Sequence, residues 1–145
     1  MSVWIYVLFF LCLFVTVYDF RYRRVPNTLT VPLVLAGVVA NFPGAPALWM
    51  GSILMLTAWG SGWMGAGDVK LWLGLLWCSY PFLGEHVTLT MFVVLILTSL
   101  PQILIRILLK KHELLGVKTP GAWRALVYAA FLAAHAMGAL HYVRF

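Results

Sequence analysis

Apolar residues in this chain come in long runs separated by short polar or turn-forming segments. Each run can be measured against the roughly 17–25 residues that a helix needs to cross a bilayer. The first run covers residues 2–18 and stops at Asp19-Phe20-Arg21-Tyr22-Arg23-Arg24, after which Pro26 disfavours helical geometry at Val25. Residues 28–63 hold two shorter runs on either side of Asn41-Phe42-Pro43-Gly44-Ala45-Pro46, turn chemistry that predicts a hairpin. A fourth helix is predicted over 68–80, ended by Pro81 and Gly84. A fifth follows over 86–109, and a sixth over 121–143 behind a basic loop at 110–118. The expectation is one membrane-embedded, all-α domain over residues 1–145 with about six transmembrane helices. Helices 2 and 4 are short for a crossing, which leaves a re-entrant or thinned segment open for each.

Composition agrees with the pattern. The 145 residues are 63% hydrophobic and only 10% charged, with a mean hydropathy of +0.97. Soluble domains carry roughly 25% charge, so a water-soluble enzyme and a disordered chain are both excluded. The first run lacks a basic leader and a small-residue cleavage site, and reads as a membrane span rather than a cleavable signal. Cys12 and Cys78 lie inside apolar runs with no Cys-x-x-Cys pair or histidine at ligand spacing, so neither a metal nor a cofactor is expected. Met50, Met55, Met64 and Met91 read as packing residues, and Trp49, Trp59, Trp63, Trp72 and Trp77 as interface-belt or packing residues.

Ten basic residues stand against four acidic ones, a formal net charge of +6. In a soluble domain this would suggest nucleic acid; between apolar runs it sets orientation, and no nucleic-acid partner is expected. Arg21, Arg23 and Arg24 form one cluster, Lys70 a second, and Arg106, Lys110, Lys111, Lys118 and Arg124 a third. Cytoplasmic placement of all three requires two crossings between successive clusters. That arrangement gives a multi-pass protein of the cytoplasmic membrane with both termini outside and Arg144 the one external basic residue.

Candidate chemistry rests on few groups. Glu85 and Glu113 read as solvated surface charges, and His112, His135 and His141 as packing or interface residues. Asp19 and Asp68 remain, both at the cytoplasmic membrane edge, where a carboxylate carries a functional hypothesis by default. The plainer readings are an ion pair of Asp19 with Arg23 and helix capping by Asp68. Gly60, Gly62, Gly65 and Gly67 ahead of Asp68 weaken the capping reading, because glycines permit strained turns and close backbone approach. A carboxylate is favoured at a helix N-terminus and disfavoured at a C-terminus. On that ground Asp68 is the ionised base and Asp19 the protonated acid, roles that a coupled pair can exchange. One ionised and one neutral carboxyl is what aspartic peptide hydrolysis requires.

Two motifs carry a resemblance. Asp19-Phe20-Arg21-Tyr22-Arg23-Arg24-Val25-Pro26-Asn27 resembles the first aspartate motif of type IV prepilin peptidases, and Gly65-Ala66-Gly67-Asp68-Val69-Lys70 resembles their second, Gly-x-Gly-Asp-x-Lys. The resemblance implies a membrane aspartic endopeptidase. It would remove the short basic leader of prepilin-like precursors at the cytoplasmic face, with Asp19 and Asp68 as catalytic residues. Gly65 and Gly67 would shape the loop. Lys70, two residues from Asp68, is turned away from it and anchors at the interface, while Asn27 either caps helix 2 or bonds to the site. Many members add N-methylation through an N-terminal segment with paired Cys-x-x-Cys motifs. Those motifs are absent here, so the short, peptidase-only form is implied. The implied partners are a prepilin or pseudopilin precursor and the bilayer. Alternatives are a presenilin-type intramembrane protease, suggested by Tyr18-Asp19, a cation transporter, and a non-catalytic membrane assembly protein.

Overall fold

The computed structural model describes residues 2–22, 24–109 and 123–136. The apolar runs within them are all helical, as expected where backbone groups are withdrawn from water and must pair within their own segment. The elements are α1 (Ser2–Tyr22), α2 (Asn27–Asn41), α3 (Pro46–Gly60), α4 (Ala66–Leu83), a 3-10 turn (Gly84–His86), α5 (Val87–Leu109) and α6 (Trp123–Ala136). No strand occurs among the described residues. Two stretches, Val3–Tyr22 and Ala66–Leu100, are long and apolar enough to cross a membrane. With 15 residues each, α2 and α3 reach about 22 Å, short of a hydrocarbon core of roughly 30 Å. Trp4, Phe10 and Val17 on α1, Val39 on α2, Ile53 on α3 and Leu89 and Leu97 on α5 are all exposed. An apolar surface of this extent belongs against lipid. Met50 is part of it, not the packing residue expected, while Met55 and Met91 are in the core.

Two helix ends differ from expectation. The first helix continues one turn past residue 18 to Tyr22. Nothing in Phe20, Arg21 or Tyr22 opposes a helix, and the Tyr18 and Tyr22 rings pack at 4.5 Å across that turn. The real break is the extended backbone at Pro26. The fourth helix starts at Ala66 and runs through Pro81 to Leu83. A proline inside a helix removes the N–H that would bond the carbonyl four residues back, here that of Trp77. Asn41 Nδ2 takes that carbonyl instead, donating to Trp77 O and to Gly37 O at 2.9 Å each. The side chain that ends α2 thus repairs α4. Asn41→Ala should cost roughly 1–3 kcal/mol, the penalty of an unsatisfied buried carbonyl. Pro81→Ala, which restores the missing N–H, should recover most of that loss in the double variant. Unfolding of the four proteins in detergent micelles measures this coupling. Of the sixth helix, residues 137–143 lie outside the described residues, as does the basic loop at 110–118.

The fourth helix is the hub, packing against α2, α3, α5 and α6, while α1 packs against α6. Side-chain contacts set the directions. Asn27 meets Lys70 and Asn41 meets Trp77, so α2 and α4 run side by side in the same direction. Glycines allow the close approach, as is common between membrane helices. A Cβ on Gly37 would sit 2.8 Å from Trp77 Cβ, and one on Gly74 2.8 Å from Leu33 Cγ. The third helix returns against them, with Trp77 Nε1 donating to Ser52 Oγ at 3.0 Å. At the hairpin end, Gly44 has φ +75° and lies against the Trp77 ring, and Thr88 Oγ1 donates to Ala47 O at 2.6 Å. The sixth helix packs on α4 through Tyr128: the Trp72 and Tyr128 rings lie 5.6 Å apart, and Tyr128 OH and Ser79 Oγ are 2.8 Å apart.

Candidate active site

The end of the bundle opposite the hairpin gathers the C-terminus of α1 and the N-termini of α2 and α4. Asp19 sits in the last turn of α1 and is 5% exposed. Asp68 is in the first turn of α4 and half-buried. The turn before it is formed by Gly65, whose extended backbone precedes the helix and whose carbonyl accepts from Val69 N at 3.1 Å. The segment after α1 folds onto this turn. A Cβ on Gly67 would lie 3.0 Å from Val25 Cβ and 3.4 Å from its Cγ2, whereas one on Gly65 would meet only Asp68 Oδ2 at 3.8 Å. Lys70 Nζ then donates to Asn27 Oδ1 at 3.1 Å. Through these contacts the stretch that follows Asp19 is clasped to the helix that carries Asp68. Asp19 acts electrostatically on Asp68, although about fifty residues separate the two in sequence.

Lys70 is thereby more than the interface anchor read from its spacing, because the reading considered only Asp68 and not α2. Asn27 does not cap α2, whose N-cap is Pro26 with no side-chain bond. Its partner is Lys70 of the second motif. The contacts of the two glycines separate their roles. Gly67→Ala should lower both stability and activity, by roughly 1–3 kcal/mol of overpacking against the β-branched Val25. Gly65→Ala should stay within about 0.5 kcal/mol. Thermal unfolding in micelles together with a cleavage rate distinguishes the two.

Arg124, in the first turn of α6, also acts electrostatically on Asp68. Helix register explains this. Trp72 and Tyr128 are in contact, and Asp68 and Arg124 lie one turn back on each helix, which gives α4 and α6 the same direction. In the sequence Arg124 stands only as a member of the third basic cluster. What the sequence lacks is the α4–α6 register, which no local pattern encodes.

The model of the type IV leader peptidase family matches residues 6–142. The chain belongs to that family. No curated protein and no solved structure matches it. Family membership makes the protein a peptidase, of the generally aspartic type, and its apolar helices make it a membrane protein.

The remaining polar groups of this leader peptidase-family chain lie elsewhere. Glu85 is exposed in the 3-10 turn at the far end of α4. His135 is exposed on α6 and stacks on Phe131 at 6.4 Å. Glu113, His112 and His141 lie outside the described residues. Among the described residues no three His, Cys, Asp or Glu side chains form a group that could hold a metal ion. Cys12 and Cys78 are free thiols, and Cys78 Sγ donates to Leu33 O at 3.5 Å. Trp72 and Trp77 are core residues, whereas Trp63 is 87% exposed beside the Gly65 turn.

Proposed function

We propose that this protein is a membrane aspartic endopeptidase that cuts the short basic leader from type IV prepilin-like precursors at the cytoplasmic face, with Asp19 and Asp68 as its catalytic pair. The observation that supports this reading is that Asp19 ends α1 and Asp68 begins α4 at one end of the bundle, where Asp19 acts electrostatically on Asp68. Two acids so placed are suited to holding one proton between them. The ionised carboxyl takes a proton from water as it attacks the scissile carbonyl, and the protonated one gives its proton to the carbonyl oxygen or the leaving amine. The two carboxyls share these roles as a coupled pair, and either one can hold the proton.

Orientation follows from charge. Arg21, Arg24, Lys70 and Arg124 belong to helix ends or linkers on the Asp19–Asp68 side, which the positive-inside rule assigns to the cytoplasm. Six crossings of the cytoplasmic membrane then accommodate the six helices, with α2 and α3 in locally thinned bilayer. The reaction needs neither metal nor cofactor. With no Cys-x-x-Cys pair in the sequence, the activity proposed is peptidase alone. Purified protein in micelles, incubated with a prepilin-like precursor, should release the leader as a single fragment. A signal-peptide remnant that lacks a basic leader should stay intact. Cleavage of the remnant in preference to the precursor would overturn the substrate assignment.

A further inference from the structure

A cavity of about 670 Å³ opens between α3 and α5, with Ala58 and Ile96 on its walls and Trp63, Met64 and Arg124 on its lining. Along α3 it extends from Leu54 to Ser61, about two helical turns or ~10 Å. Leu54 and Ile96 are exposed on the lipid-facing surface, so the groove can be entered sideways from the bilayer. Its hydroxyls are turned away from any guest. Thr57 Oγ1 donates to Leu54 O at 2.8 Å, Ser61 Oγ to Ala58 O at 3.1 Å and Ser99 Oγ to Leu95 O at 2.6 Å. The walls therefore present mainly carbon, and the charge in the lining is that of Arg124, the residue that acts on Asp68.

We infer that this groove seats the apolar segment that follows the scissile bond of the precursor, an inference that rests on the proposed peptidase function. Apolar walls open to lipid take a membrane-resident helix without moving it into water. The charge on the lining, that of Arg124, repels a basic leader from the groove. The groove therefore takes the apolar part of the chain and leaves the leader outside it. Trp63 and Met64 on the lining immediately precede the Gly65–Asp68 turn, and Arg124 acts on Asp68, so a segment seated there ends toward the carboxyls.

The test is photocross-linking in an Asp68→Asn background, where the precursor stays whole. A benzophenone side chain at position 96 should capture the apolar segment of the precursor. The same group at Val39, lipid-facing on α2 and outside the groove, should capture at least about tenfold less. Ala58→Trp, which fills the groove, should raise KM at least about tenfold with a smaller change in kcat. Equal capture from both positions overturns the inference. So does a position-96 adduct confined to lipid or to this chain, or an Ala58→Trp effect on kcat alone. Cleavage by the unmodified enzyme without capture would remove the groove assignment and leave the peptidase reading intact. Capture without any cleavage would do the reverse.

Discussion

Asp19→Asn and Asp68→Asn are each expected to slow precursor cleavage by at least about a thousandfold. A positioned acid or base contributes roughly 10²–10⁴, and asparagine keeps the shape of the side chain while removing the transferable proton. The two residues work on one water and one carbonyl, so the double variant should be little worse than either single one, as for other catalytic groups that act as a unit. Misfolding is not expected to produce the loss. Asparagine matches aspartate in size, and thermal unfolding in micelles separates a folding loss from a catalytic one. Glu85→Gln, exposed beyond the far end of α4, supplies the control and should cleave at the normal rate. Single-turnover cleavage in micelles measures all four proteins. A wild-type rate in either single variant would remove the mechanism.

The largest effect on the fold is expected at Gly37. Its missing side chain lets α2 approach α4 so closely that a Cβ would lie 2.8 Å from Trp77 Cβ, 3.0 Å from Cys78 Sγ and 3.1 Å from Cys78 N. A backbone nitrogen and a Cβ cannot rotate aside, so Gly37→Ala should cost roughly 1–3 kcal/mol of overpacking. Gly37→Leu should prevent the two helices from meeting. Separation also breaks the clasp of Val25 on Gly67 and of Asn27 on Lys70, so activity is expected to disappear with the packing. Gly60→Ala is the contrast, because nothing lies within 4 Å of a Cβ there, and it should be neutral or slightly stabilising through helix propensity. Denaturation in mixed micelles ranks the three variants. A Gly37→Leu protein that unfolds with the unmodified one would contradict the close crossing.

Helical class, the hairpin at residues 41–46 and the two aspartates were legible from local pattern. A bilayer demands long apolar helices, and the motifs are contiguous stretches around residues 19–27 and 65–70. Helix ends were less legible. The proline at position 81 reads as a stop, and only the amide of Asn41, which arrives from another helix, lets α4 continue through it. The Lys70–Asn27 pair was not legible locally for the same reason, since the two residues lie 43 positions apart.

By itself, then, the order of residues determined that the chain is helical and apolar and singled out two acids at helix ends as candidates for chemistry. Those features depend on spacing within one segment, where 3.6 residues per turn and the cost of burying a backbone leave few options. The tertiary structure alone decided that Arg124 belongs beside Asp68, that an apolar groove adjoins the site, and that glycine crossings hold α2 against α4. Each of these depends on how one helix is rotated and shifted against another. That register is set by side-chain volumes on both partners at once, and no single segment carries it.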